Sequence, residues 1–173
     1  MRQNIDHAQF MEAKAFTNKL LSDAIVETRR ISHELMPTTL EEFGLKSAID
    51  DICQQLSDEV KFKCTVSGLH MRLEKYLELA VYRTVQELMI NVVKHANATI
   101  AEVNVTLSAK DIKIAVNDNG RGMEAADGKQ KSGIGLASIR SKISLLNGKM
   151  KIDSDAKKGT TVRIVIPIFA KNM

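Results

Sequence analysis

The sequence has 173 residues, 44% of them apolar, with 25 basic and 21 acidic side chains and a net charge of +4. This length and apolar content exclude a disordered chain and a miniprotein, and they predict one or two domains. Two cysteines are too few for a disulfide framework or a four-cysteine zinc site, which favours a reducing, cytoplasmic setting. Charges of both signs are interspersed and only 4% of the residues are aromatic, which argues against direct nucleic-acid binding. No apolar run reaches the roughly 20 residues of a membrane span, so membrane attachment would come only from upstream segments.

The N-terminal part is predicted to be one long helix. It has no glycine or proline before Pro37, and its seam residues alternate in spacing between four and three, which keeps one face of a helix on a partner. The seam is too weak for an autonomous coiled coil, so a packed helix of a bundle fits equally well. The composition changes at 37–44, and we predict a helical segment over 1–40 and a globular domain over 41–173. The seam consists of Thr17, Leu21, Ala24, Thr28, Ile31 and Leu35.

The globular part shows helical and strand-like patterns in alternation. Helical spacing covers 45–56, 74–96 and 136–146, and strand-like alternation covers 60–66, 101–107, 112–116, about 149–154 and about 160–166. The short turn sequence between the second and third strands predicts a hairpin. This order predicts an α+β fold, a two-layer sandwich in which helices cover one face of a mixed sheet.

Three short segments carry polar and glycine residues that interrupt these apolar patterns. They are ELMINVVKHA at 87–96, DNGRGM at 118–123 and GIGL at 133–136. On a helix, Glu87, Asn91 and the pair Lys94 and His95 line one polar stripe. A carboxylate and an amide oxygen suit a hard divalent cation, and a lysine suits phosphate. Taken alone, such a stripe is typical of a solvated helix face.

The two glycine segments are also weak signals when each is taken alone. The first has the composition of a common turn, and a single Gly-x-Gly is weaker still. Together, however, two glycine pairs flank a charged stretch and lead into the N-terminus of a helix. A backbone of this kind can approach a polyphosphate closely and offer it amide groups and a helix dipole.

In this order and at this spacing, the three segments resemble the N box and the first and second Gly boxes of the histidine-kinase ATP-binding domain. Its superfamily also contains gyrase, the heat-shock chaperone and mismatch-repair ATPases. The resemblance covers about residues 45–168 and implies the Bergerat-type ATP-binding fold, preceded by a dimerisation helix. RISHELMP at 30–37 and LEEFGL at 40–45 resemble the second dimerisation helix and its connection to the ATPase domain in nitrate-sensor-type two-component kinases.

The resemblance implies ATP and Mg²⁺ as cofactors and a role for each matching residue. Asn91 would ligate the Mg²⁺ that bridges the phosphates, and Glu87 would act in catalysis by orienting the metal or its waters. Lys94 and His95 would lie near the phosphates. Asp118 would accept a hydrogen bond from the exocyclic amine of adenine. The remaining positions of the adenine pocket and of the lid over the phosphates are Gly120, Gly122, Met123, Gly133, Gly135, Leu136 and Thr160.

The phosphate-accepting histidine is the main departure from the family pattern. Autophosphorylation needs an imidazole in line with the γ-phosphoryl group and a neighbouring carboxylate. His33 and Glu34 look like such a pair, but Pro37 and the ATPase domain follow directly, without a returning helix. The His-Asp pair of the nitrate-sensor type is missing. We therefore expect His33 to be an ordinary helix residue, the acceptor to lie upstream, and this chain not to phosphorylate itself.

The resemblance implies the catalytic part of a sensor histidine kinase. The enzyme would transfer the γ-phosphoryl group of ATP to a histidine, for relay to an aspartate of a response-regulator receiver domain, and would dimerise through the N-terminal helix. Two alternatives stay open: a non-catalytic, nucleotide-gated interaction module, and an anti-sigma-type serine kinase of the same superfamily. The connection between Pro37 and Leu45 speaks against the serine kinase.

Overall fold

The computed structural model describes residues 14, 17–21, 36–68, 73–123, 134–156 and 158–168. The chain divides into two compact units, Met1–Pro37 and Thr38–Met173. In the first unit, residues 14 and 17–21 are helical, in agreement with the predicted helix. The other residues predicted to be helical before Met36, with His33, lie outside the described residues, so the long helix stays a prediction.

The second unit, in the residues that the structure describes, contains three α-helices, one π-helical turn and five strands. In chain order these are α1 (Thr38–Leu56), β1 (Lys61–Gly68), α2 (Lys75–Asn91), the π turn (Val92–Ala96), β2 (Ile100–Leu107), β3 (Asp111–Asp118), α3 (Ile134–Leu145), β4 (Lys149–Asp155) and β5 (Gly159–Pro167). Each element that the patterns predict in this part of the chain is present, and apart from two helix boundaries the ends agree to within a few residues.

Two helix boundaries differ from the prediction. Helix α1 begins at Thr38, before Gly44, because Gly44 adopts a φ of 81° that joins two helical pieces at a kink. Leu40, in the first piece, is fully buried, so packing holds this piece in place. The predicted α-helix through Ala96 is wrong in its last turn, since the chain leaves α geometry at Val92 and completes a π turn.

The strands form one five-stranded mixed sheet in the order β1-β2-β3-β5-β4. Strands β1 and β2 pair in parallel, and α2 lies between them in sequence, as a parallel connection requires. The other neighbours pair antiparallel, including the predicted β2–β3 hairpin, which is confirmed.

One face of this sheet carries the core. Side chains alternate between buried and exposed along β2 and β3, and the buried ones are β-branched residues such as Val103, Val105 and Ile114. Val81 and Val85 of α2 are fully buried in the same core. Burial of each such side chain contributes about 1.5–3 kcal/mol. The predicted α+β architecture is confirmed.

Candidate functional site

The ends of four strands meet at one end of the sheet. Ala101 at the start of β2 pairs with Asp118 at the end of β3, and Asp155 at the end of β4 pairs with Gly159 at the start of β5. The backbone of Gly159 has a φ of 84°, and a Cβ there would collide with the carbonyl oxygen of Asp118. Only glycine lets the β5 strand begin so close to the end of β3.

A cavity of about 460 Å³ opens between this end of the sheet and the helices. Its size is that of a small-molecule site. The cavity is lined by Leu88, Asn91, Val92, His95, Ala96, Val116, Asp118, Gly122, Met123, Gly135, Leu136, Thr160 and Val162. Most of these side chains are apolar, so the few polar ones decide how a ligand is oriented.

Asp118 is the buried carboxylate of this cavity, with 5% of its surface exposed. Its Oδ1 accepts hydrogen bonds from the backbone N–H groups of Gly120, at 2.9 Å, and Thr160, at 3.3 Å. Within the described residues, Oδ2 has no hydrogen-bond donor. One oxygen therefore holds the two backbone segments together, and the other can accept a hydrogen bond from a ligand.

The π turn forms another wall, and the loop after β3 is fastened to it. Arg121 donates its backbone N–H to the carbonyl of Ala96, at 2.8 Å, and its Nε to the carbonyl of His95, at 3.1 Å. Gly120 lies so close to this turn that a Cβ would collide with the Ala96 carbonyl oxygen. Because π turns are rare and are frequent at functional sites, this local geometry supports a binding role for the cavity.

The last turns of α2 bring Glu87 and Asn91 towards the start of α3. A Cβ on Gly135 would lie 3.0 Å from Glu87 Oε1 and 3.5 Å from Asn91 Oδ1. Asn91 Nδ2 is buried and has no hydrogen-bond partner. Glu87 and Asn91 are half-buried, so they do not belong to a fully solvated helix face.

The structure thus brings together most of the residues singled out in the sequence. Lining the cavity are Asn91, His95, Asp118, Gly122, Met123, Gly135, Leu136 and Thr160. Glu87 and Gly120 lie directly behind the lining, against Gly135 and Ala96. Lys94 is exposed and does not line the cavity. Gly133 and residues 124–132, the stretch between the two glycine segments where the resemblance implies the lid, lie outside the described residues.

Sequence reasoning missed two groups of residues. The apolar walls of the cavity, among them Leu88, Val116 and Val162, follow the same periodicity as core residues and carry no distinguishing signal. Ser154, on β4, accepts a hydrogen bond from the backbone N–H of Met123 at 2.7 Å. Its contact with Met123 joins residues 31 positions apart, so no local sequence signal could have found it.

The comparison of sequences agrees with this geometry. Residues 76–169 match the family described as "Histidine kinase-, DNA gyrase B-, and HSP90-like ATPase". The chain belongs to this ATPase family. The matched segment runs from the start of α2 through β5 and contains all the cavity-lining residues.

Two curated members of the group are similar over most of the chain. The oxygen sensor histidine kinase NreB of Staphylococcus carnosus is 32% identical over 153 residues, which cover 86% of this chain and 44% of the relative. The sensor histidine kinase MctS of Rhizobium johnstonii is 30% identical over 171 residues, covering 96% of this chain and 36% of the relative. The chain therefore spans less than half the length of these two relatives.

Solved structures of histidine kinases share the fold of this ATPase domain. The histidine kinase domain of the blue-light activated kinase EL346 of Erythrobacter litoralis superposes with a TM-score of 0.56 at 20% identity, over 71% of this chain and 60% of that one. The histidine kinase AdeS of Acinetobacter baumannii gives 0.59 at 15% identity, over 96% and 87% of the two chains. Within the described residues, no helix combines the length and the apolar character of a membrane span.

The site of this family member can be tested for its fit to Mg²⁺. The described residues hold no cluster of three or more His, Cys, Asp and Glu side chains that could bind a metal alone. Mg²⁺, however, usually keeps several waters and substrate phosphates and takes only one or two protein oxygens. Glu87 Oε1 and Asn91 Oδ1 supply such oxygens in one region beside Gly135, 3.0 Å and 3.5 Å from the place of its missing Cβ. These residues fit an Mg²⁺ ion held mainly by nucleotide phosphates.

Proposed function

We propose that this chain is the ATP-binding catalytic part of a sensor histidine kinase. The protein would transfer the γ-phosphoryl group of Mg·ATP to a histidine, from which a response-regulator aspartate receives it. The observation that carries the proposal is one cavity in which a buried carboxylate, Asp118, faces the same space as Asn91, in a member of the histidine-kinase-like ATPase family.

The adenine base would occupy the apolar part of the cavity. Val116 and Val162, which pair across β3 and β5, line the cavity with Asp118, and Met123 lines it from the loop after β3. Asp118 Oδ2 would accept a hydrogen bond from the exocyclic amine, and Thr160 would reach the ring edge. A carboxylate at this place favours adenine over guanine, because guanine carries a carbonyl oxygen where adenine has the amine.

The phosphates would extend towards the start of α3. Gly135 leaves room beside Glu87, and the first amides of α3 point their dipole at that region. Asn91 would ligate Mg²⁺, Glu87 would hold a metal-bound water, and His95, which lines the cavity, would contact phosphate. When bound, Mg²⁺ would stabilise the negative charge on the phosphoryl group that is being transferred. The predicted contact of Lys94 with the phosphates has the least support, because its side chain is exposed and does not line the cavity.

The partners proposed for the whole protein follow from the same assignment. They are a second copy of the kinase, joined through the N-terminal helical segment, and a receiver domain of a response regulator. The relatives are named sensor histidine kinases, which supports this proposal. The nitrate-sensor-type subgroup, the cytoplasmic setting and the boundary near residue 40 stay predictions from the sequence.

Phosphate transfer in trans tests the proposal. The chain is incubated with γ-labelled ATP and Mg²⁺, alone and with the full-length product of its gene carrying Asn91→Ala, so that only the chain's own site can donate phosphate. Label that is labile in acid and stable in base, on a histidine of the full-length product, is the expected result. Label on serine would instead favour the serine kinase, and ATP binding without any transfer would favour the nucleotide-gated module.

A further inference from the structure

Ser154 lies behind the cavity and contacts three groups at its rim. Its Oγ accepts a hydrogen bond from the Met123 N–H at 2.7 Å, lies 3.0 Å from Thr160 Oγ1 and is 3.5 Å from the carbonyl oxygen of Gly159. Ser154 and Thr160 are directly opposite each other in the β4–β5 pairing. None of these contacts belongs to the function assigned above.

The proton of the Ser154 hydroxyl has two acceptors within reach. A serine hydroxyl has one proton to donate and accepts with its lone pairs. The Met123 N–H uses one of the two lone pairs, and either hydroxyl of the 3.0 Å Ser154–Thr160 pair could donate to the other. If Thr160 donated, the Ser154 proton would be left with the Gly159 carbonyl at 3.5 Å. Because O–H···O bonds are normally 2.5–3.0 Å long, donation from Ser154 to Thr160 is the arrangement that gives the Ser154 proton a bond of normal length.

This direction decides what Thr160 offers to a ligand. When Thr160 Oγ1 accepts the proton of Ser154, the proton of Thr160 itself turns away from Ser154. Within the described part of the chain, Thr160 Oγ1 has no other hydrogen-bond partner, and Thr160 lines the cavity. The hydroxyl of Thr160 is therefore presented to the cavity as a donor.

The donor stands beside an acceptor. The Thr160 N–H binds Asp118 Oδ1, which places the Asp118 carboxylate next to Thr160 with Oδ2 unused. An acceptor and a donor side by side match the edge of adenine, where the exocyclic amine adjoins the ring nitrogen N1. They mismatch guanine, where a carbonyl oxygen adjoins an N–H.

We propose that Ser154 is a positioning residue for adenine recognition: its hydroxyl directs the Thr160 proton into the cavity and holds Met123 at the rim. The second part rests on two neighbouring contacts, the Met123 N–H on Ser154 and the backbone of Gly122 packed against the Asp155 carbonyl. Two successive residues of the loop after β3 are thus fixed to the end of β4. This proposal rests on the proposed binding of ATP.

The experiment compares two nucleotides that differ in the acceptor at issue. Dissociation constants for ATP and for 1-deaza-ATP, in which C–H replaces the ring nitrogen N1, are measured by competition with a fluorescent ATP analogue. The wild-type chain is expected to prefer ATP by about 10-fold, the value of one good hydrogen bond. Ser154→Ala is expected to weaken ATP binding about 10-fold and to reduce that preference to about 2-fold or less. Ser154→Thr, which keeps a hydroxyl, restores most of it.

Thr161→Ala is the matched control. Thr161 is the next residue of β5, and its hydroxyl donates to Asn117 Oδ1 at 2.7 Å, outside the cavity lining. Its removal also deletes a hydroxyl hydrogen bond at this end of β5, but it should leave the preference between the two nucleotides unchanged. A preference that falls equally in Thr161→Ala would overturn the proposal, since any loosening of β5 would then suffice.

The remaining outcomes distinguish the role of Ser154 from the proposed function. An unchanged nucleotide preference in Ser154→Ala contradicts the role of Ser154, while failure of the wild-type chain to bind ATP contradicts the proposed function instead. If Ser154→Ala does not fold, Ser154→Cys keeps the volume with a much weaker donor and is expected to lose the preference in the same way. In Thr160→Val, which lacks the hydroxyl, adding Ser154→Ala should change the preference no further. An additional change there would contradict action through Thr160.

Discussion

Asp118 and Thr160 are joined across the end of the sheet by a 3.3 Å hydrogen bond from the Thr160 N–H to Asp118 Oδ1. The same oxygen accepts the N–H of Gly120, so it is committed to holding the strand ends and the loop. The two oxygens of one carboxylate would therefore have separate tasks, Oδ1 in the fold and, under the proposed function, Oδ2 in ligand recognition. Substitutions that affect only one of the tasks can separate them.

Asp118→Asn is the first such substitution. The amide keeps an oxygen for the two backbone N–H groups and replaces Oδ2, which faces the cavity, by a donor. We expect ATP affinity to fall by about 1.5–3 kcal/mol, the contribution of a hydrogen bond to a charged group. Inosine triphosphate carries a carbonyl oxygen in place of the amine, so its affinity should fall less than that of ATP or should rise.

Calorimetric titrations with ATP and inosine triphosphate measure this change, with Asp51→Asn, an exposed position on α1, as the control. Equal losses for the two nucleotides would be inconsistent with Asp118 reading the amine.

Asn91→Ala should remove the dependence of ATP binding on Mg²⁺. Asn91 Nδ2 makes no hydrogen bond in the fold, so the substitution should cost little stability for a half-buried residue. The loss of one Mg²⁺ ligand should lower the affinity for Mg·ATP by about 10-fold or more. ATP titrations with and without Mg²⁺, and a parallel titration of Asn104→Ala on the exposed side of β2, test this. Wild-type Mg²⁺ dependence in Asn91→Ala would exclude the metal role.

Gly135→Ala should separate stability from binding. Alanine is preferred over glycine inside a helix by about 0.8–1.0 kcal/mol, so α3 should not be weakened. The new methyl group would stand 3.0 Å from Glu87 Oε1 and close to the Asn91 amide, in the space assigned to the metal and phosphates. We expect an unchanged or higher urea midpoint together with a clear loss of ATP affinity. Ser138→Ala, exposed on the same helix, is the control, and retained ATP affinity in Gly135→Ala would place the phosphates elsewhere.

The stability of the fold should fall in alkaline solution because of Cys64. Burial raises the pKa of the Cys64 thiol, and the adjoining Cys53 and the Asp50 carboxylate raise it further. An unfolded thiol ionises near pH 8.5, so above that pH the unfolded chain has lost a proton that the folded chain keeps. The contribution of the protonated Cys64 thiol to the free energy of unfolding is therefore complete below about pH 8 and decreases as the pH rises above that value.

Urea unfolding of the wild-type chain and of Cys64→Ala at about pH 7.5 and pH 10 measures this effect. The decrease in unfolding free energy over that range should be smaller in the variant, whereas Ser67→Ala on the same strand should behave as the wild type. The same decrease in Cys64→Ala would assign the alkaline loss to other groups, among them Tyr82, whose pKa burial also raises.

Periodicity in the sequence was sufficient for most of the fold. Alternating valines and isoleucines in β2 and β3 identify strands with one buried face, and the observed register confirms it. Two local features were not predictable in this way. The kink at Gly44 depends on the burial of Leu40 against the domain, and the π turn after Asn91 inserts its extra residue without a change in composition.

The polar part of the site was easier to predict than its walls. Asp118 and Gly135 interrupt apolar patterns, so they stand out in the sequence. Val116 and Val162 continue such patterns, and only the fold distinguishes a valine in a cavity wall from one in the core. The importance of Ser154 depends on a hydrogen bond to Met123, 31 residues away, which no local pattern indicates.

Under the proposed function, Mg·ATP enters the cavity between Asp118 and Asn91. A titration of Mg·ATP into the isotopically labelled chain, followed by two-dimensional NMR, tests occupancy and position together. We expect saturable shifts for the backbone amides of Gly120 and Thr160 and for the side-chain amide of Asn91. Shifts that are absent at millimolar nucleotide, or that are confined to the exposed face of the sheet around Lys63, would contradict the account.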